Sequence, residues 1–150
     1  MVVHFTTNAK PKSYNADPKF KRWYQQNLAN EYKALNPVTI PISNTKLYAN
    51  ILVIHRNAKI LGDVDNFSKP IVDSFRGVIY ADDDLIWHRI ITKIETKDFS
   101  MTKVAMTDMT QNNYINFCQC LSNVSSGLKD SMTYLEIGEY EDRMLKVGKL

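Results

Sequence analysis

The chain reads as an α+β protein: a small mixed β-sheet with helices packed on it. Three observations predict this. Segments rich in β-formers, alternating with period two, recur at residues 47–54 and 85–95. Residues 17–33 and 111–122 carry apolar side chains at helical spacing. The chain has 150 residues, enough for one core without disulfide staples, and its 44% hydrophobic and 23% charged content is ordinary for a globular domain. Residues 1–150 are therefore expected to form a single domain.

The elements follow in order. Residues 2–6 read as a short strand, and residues 10–16, with Pro11, Ser13 and Asn15, as a basic loop. Asp17-Pro18 is a helix start, Asp17 as N-cap and Pro18 at the first helical position. Phe20, Tyr24, Leu28 and Tyr32 form its apolar stripe, and Asn36-Pro37 ends it. After the strand at 47–54, a second helix is expected to begin near Asp65, capped by Asp65 or Asn66, with Pro70 near its first turn. Residues 78–80 read as a short strand that stops at Asp82-Asp83-Asp84. In the strand 85–95, Ile86, His88, Ile90, Thr92 and Ile94 share one face, and Trp87, Arg89, Ile91 and Lys93 the other. Residues 103–106 are a weaker strand candidate. The helix at 111–122 should turn Tyr114, Ile115, Cys118 and Leu121 inward. Residues 133–137 read as a last strand and 141–150 as a charged tail.

No apolar run approaches a membrane span, and the N-terminus lacks a secretory pattern. Cys118 and Cys120 are one residue apart, poorly placed for a disulfide, with no further ligands to complete a metal site. Reduced thiols in a cytoplasmic protein are expected.

Charge is unevenly distributed. The net charge is +3, yet residues 1–36 carry six Lys or Arg against two acids, and residues 62–84 carry six Asp against Lys69 and Arg76. An acidic centre in a basic chain suggests a cation site on a protein that meets a polyanion.

That centre holds the candidate chemistry. Asp63 and Asp65, two apart on an extended segment, would point to one side. A helix starting at Asp65 would align Asp65, Lys69, Asp73 and Arg76 on one stripe, with Phe67, Ile71, Ser74 and Phe75 largely opposite. The strand at 78–80 would deliver Asp82 and Asp83 beside them. Carboxylates gathered in this way suit a hard divalent ion, magnesium above all, that keeps several waters and a phosphate oxygen. A neighbouring lysine can offset charge on a transferring phosphoryl group. These residue types fit metal-assisted phosphodiester hydrolysis. The plainer reading makes Asp65 a helix cap, Lys69 and Asp73 a weak i, i+4 pair, and Asp82-Asp83-Asp84 a solvated turn. A DxD sugar transferase is disfavoured by the short chain and the lack of an evident nucleotide-binding βαβ unit.

The order of these residues resembles the signature of the RusA-type Holliday junction resolvases: Asp-x-Asp-Asn, a lysine four residues on, an Asp four further, and an Asp-Asp pair after a short strand. Here these are Asp63, Asp65 and Asn66, then Lys69, Asp73, and Asp82-Asp83. The resemblance implies a magnesium-dependent endonuclease, with manganese an alternative ion, working as a homodimer on four-way DNA junctions. It would nick paired strands symmetrically in DNA recombination and repair, leaving 5′-phosphate and 3′-hydroxyl ends. It implies Asp63, Asp65 and Asp83 as metal ligands, Asp82 as an extra ligand or neighbour, Lys69 at the phosphate and Asp73 orienting Lys69. Asn66 is a supporting residue, and Asp84 is left to solvent. Lys10, Lys12, Lys19, Lys21 and Arg22, with Trp23 or Tyr24 to stack, are the DNA-contact candidates. Residues 97–131 look like an insertion before the last strand. Two alternatives stay open: a branched-DNA-binding protein that does not cut, and a nuclease with flap or single-strand specificity.

Overall fold

The computed structural model describes residues 1–148. Four strands, β1 (Val2–Thr7), β2 (Leu47–His55), β3 (Ile86–Glu95) and β4 (Ser131–Glu139), form one sheet in the order β1-β4-β2-β3. β4 is antiparallel to both β1 and β2, and β2 is parallel to β3, so the sheet is mixed. Helices α1 (Pro18–Leu35) and α2 (Val64–Asp73) pack on one face, and α3 (Gln111–Ser125) on the other. The expected α+β architecture is present.

Alternation along the strands builds two cores. Phe5, Ala49, Ile51, Val53, Leu135 and Ile137 face α1 and α2, where they meet Tyr24, Leu28, Phe67, Ile71 and Phe75. Ile54, Met132 and Tyr134 point the other way, onto Phe117, Cys120 and Val124 of α3. Asp17 caps α1 as expected, its side chain accepting from the Lys19 N–H at 2.8 Å. Tyr24, Leu28 and Tyr32 are buried, but Phe20, in the first turn of α1, is exposed.

Several expectations are corrected. α2 starts two residues early, with Asp63 as N-cap, and Pro70 is its seventh residue rather than part of its first turn. A proline there cannot bond the carbonyl four residues back. That carbonyl, of Asn66, accepts instead from the Tyr14 N–H at 2.5 Å. Residues 78–80 are not a sheet strand. They lie in a buried chain of turns in which Gly77, with φ of 74°, lets its N–H reach the Tyr80 carbonyl at 2.7 Å, while Ile42 bridges alongside.

β3 is an edge strand with a register shift opposite Leu47 and Tyr48. The shift switches faces, so Ile86 and Ile91 both meet the α1–α2 core and only Ile94 meets the other. Residues 103–106 form no strand. The inward stripe of α3 is Asn113, Phe117, Cys120 and Val124, while Tyr114 and Ile115 are exposed. Both cysteines are free, as expected. The tail makes one short turn at Asp142–Met144; its last residues, 149–150, lie outside the described residues. No described helix is long and apolar enough to cross a membrane.

Candidate active site

α2 is the crossover between parallel strands β2 and β3, and the acidic motif occupies both of its flanks. Asp63 and Asp65 stand exposed at its N-terminal end, where partial positive charge from free N–H groups favours carboxylates. Neither side chain has a hydrogen bond or ion pair among the described residues. The approach to Asp63 is fixed from β3, whose Lys93 donates to the Gly62 carbonyl at 2.6 Å. Gly62 has φ of 74°, which suits glycine at this sharp entry to the helix.

One turn beyond Asp65, about 6 Å along the axis, Lys69 donates to Asp73 at 3.1 Å. Its Nζ also lies 3.8 Å from Asp83. Arg76, just past the helix end, sits 3.3 Å from Asp82 and 3.8 Å from Asp83. The loop after the buried turns is thus held against α2 by two cations, although residues 69 and 83 are far apart in sequence. Asp84 is exposed and makes no such contact.

Tyr80 was not singled out from sequence. Its buried hydroxyl lies 2.8 Å from the Val72 carbonyl and 3.3 Å from Asp83 Oδ1. Burial, then the nearby Asp83 and Asp73 charges, pushes its pKa well up, so it stays a neutral donor. A tyrosine two residues before an Asp-Asp pair was the available signal. Arg76 was placed on the charged stripe without a role, and Lys93 was read only as strand.

Asp63, Asp65, Asp82 and Asp83 offer hard oxygen donors, the chemistry magnesium takes. Among the described residues, however, no three His, Cys, Asp or Glu side chains are gathered closely enough to hold an ion as they stand. Asp83 is turned toward Lys69 and Arg76 instead of toward the start of α2.

The DNA-contact candidates flank this site. Lys10, Lys19 and Arg22 are exposed and Lys12 is half-buried. Lys21 Nζ lies 4.6 Å from the Tyr14 ring centroid and donates to the Tyr14 carbonyl at 3.2 Å. Arg22 shares a shallow depression with Asp73 and Arg76. Asn66 serves through its backbone, tying this basic loop to α2. Tyr24 is buried in the core and cannot stack on a base, whereas Trp23 is 60% exposed.

The family model described as Endodeoxyribonuclease RusA matches residues 4–107, from β1 through the whole acidic motif. No curated protein matches the chain.

Proposed function

From the chain's membership of the RusA endodeoxyribonuclease family, we propose that it is a magnesium-dependent, structure-specific endonuclease that resolves four-way DNA junctions as a homodimer, by symmetric paired nicks, in recombination and repair. The observation that carries this reading is the ion pair between Lys69 and Asp83, which joins two parts of the motif that lie apart in sequence. Asp63, Asp65 and Asp83 are the residues that would hold magnesium, with Asp82 beside them; manganese has the same oxygen preference. When bound, the ion supplies polarisation of a phosphate oxygen and a more acidic water.

The chain's own residues do the rest. Lys69, steadied by Asp73, offsets charge on the scissile phosphate. Tyr80 fixes one oxygen of Asp83 from below. Lys93 sets the backbone that presents Asp63. Lys10, Lys12, Lys19, Lys21 and Arg22 contact flanking phosphates, which makes binding salt-dependent. The whole chain acts as one nuclease domain, with residues 97–131 as an insertion that carries α3.

The test is cleavage of a synthetic four-way junction, with linear and flap DNA as controls, with and without magnesium. Magnesium-dependent paired nicks, lost in Asp65→Asn, are expected. Cleavage unchanged in Asp65→Asn would reject the site. Tight junction binding without nicking in either metal would favour a non-cutting branched-DNA binder, and preferential flap cutting would favour the other nuclease specificity.

A further inference from the structure

A groove of about 590 Å³ runs along the β1 edge of the sheet, between α1 on one face and α3 on the other. The α1 wall is a stripe at helical spacing, Trp23, Asn27 and Glu31, next to the buried stripe of the same helix. The α3 wall presents Asn116, Gln119 and Asn123, and it lies beyond the residues matched by the family model.

The amides divide into two sets. Asn116 donates to the Thr6 carbonyl at 2.7 Å, and Asn123 to Asn8 at 2.9 Å, so they fix the floor. Asn27 and Gln119 make no hydrogen bond among the described residues, and each can donate and accept. An indole exposed at 60% beside free amides matches the needs of a nucleobase, which offers a π-face and a donor–acceptor edge. Glu31, the one acid among the lining residues, repels phosphate but accepts from base amino groups. Lys129, also lining the groove, and Lys10, next to its wall residue Ala9, supply cations for the backbone.

The groove also connects to the candidate active site. Its wall residues Asn8 and Ala9 lead into the basic loop that Tyr14 ties to Asn66 on α2. Tyr14 lies five residue steps beyond Ala9, a reach of at most about 18 Å, or about five nucleotides at duplex spacing.

We propose that the Trp23 groove is a single-stranded DNA subsite, which stacks an unpaired nucleobase on Trp23 and reads its edge with Asn27 and Gln119. It deepens the nuclease reading, since it gives an unpaired strand near the carboxylates somewhere to go.

The test is made in EDTA, so that it does not depend on cleavage. In a Trp87→Phe protein, Trp23 is the only tryptophan. A single strand of about ten nucleotides should quench its fluorescence, and a blunt duplex of equal length should quench it far less. Trp23→Ala should weaken single-strand binding by about tenfold, and Asn27→Ala with Gln119→Ala should weaken it severalfold with the fold intact by circular dichroism. Asp65→Asn should bind at least as tightly as the parent, since it removes one negative charge near the strand, and a loss of binding would tie the subsite to the metal site. No quenching, or equal quenching by the duplex, would overturn the proposal. So would a shift in sedimentation of Trp23→Ala from dimer to monomer, because the groove would then be a contact between two copies of the chain.

Discussion

Asp83 Oδ2 lies 3.8 Å from Lys69 Nζ, and this pair is where the loop before β3 meets the middle of α2. Lys69 is 43% exposed, so the pair contributes at most about 1 kcal/mol to folding. Lys69→Ala should therefore leave the melting temperature nearly unchanged. Its effect on junction cleavage should be far larger, a loss of about 100-fold in kcat at saturating magnesium. Asp65→Asn should likewise fold normally, since Asp65 is exposed and unpaired among the described residues, while its cleavage falls to background. If both variants lost activity only in proportion to lost folded protein, these residues would be structural.

Tyr80→Phe separates packing from polarity. The ring is buried and stays buried, but the donor to Val72 and Asp83 is removed. A stability loss of about 1 kcal/mol by urea titration is expected. Cleavage should fall about tenfold, with a matching rise in the magnesium concentration needed, because groups that orient carboxylate ligands typically matter on that scale. Unchanged magnesium dependence would confine Tyr80 to the core.

Pro70 shows how far the sequence could be read. Asp17-Pro18 was legible because a cap is a local event, written within three residues. The acidic motif was legible because its spacing is fixed along the chain. Pro70 was misplaced because the cost of a proline inside a helix is offset from outside: Tyr14, far back in sequence, supplies the missing N–H to Asn66. The inward face of α3 was legible only in part: Cys118 and Leu121 pack against its core as expected, while Tyr114 and Ile115 do not. Tyr114 and Ile115 are apolar enough to be buried, yet the side chains buried against the sheet are Phe117 and Val124. In β3, a register shift opposite Leu47 and Tyr48 moves Ile86 to the face of Ile91, and no residue type announces it.

The proline also makes a testable tie. Pro70→Ala restores an N–H that competes for the Asn66 carbonyl. The Tyr14 amide should then exchange with solvent faster, by about tenfold or more in native-state hydrogen exchange, while α2 stays helical. Unaltered Tyr14 protection would mean that other contacts hold the basic loop.

Gly138 on β4 has a steric reason to be glycine. A Cβ built there would lie 2.6 Å from Tyr48 Cε1 and 2.8 Å from its Cζ and hydroxyl. The ring cannot easily move aside, because its hydroxyl donates to Glu136, which also accepts from Tyr134. Gly138→Ala should cost about 1–3 kcal/mol by denaturant unfolding. Adding Tyr48→Ala should remove most of that increment in a double-mutant cycle. An additive pair would show that the crowding is relieved elsewhere.

Acid should destabilise the protein through His4. Its Nδ1 is 2.9 Å from the Tyr134 hydroxyl, its Nε2 has no partner among the described residues, and the residue is buried. Burial lowers its pKa from 6.5, against the opposing pull of Glu136 and Asp108. The folded state therefore favours the neutral ring, and below about pH 6.5 the unfolded chain binds the extra proton more readily. This contribution is full above that value and is lost as pH falls from it toward the lower folded pKa. His55, also lowered mainly by burial, acts with the same sign. The urea midpoint should drop between about pH 7.5 and 5.5, and His4→Asn, which cannot titrate, should flatten that slope in part. A midpoint that rose on acidification would show that the ring is already protonated in the fold, and a slope untouched by His4→Asn would show that the ring binds protons equally in the folded and unfolded chain.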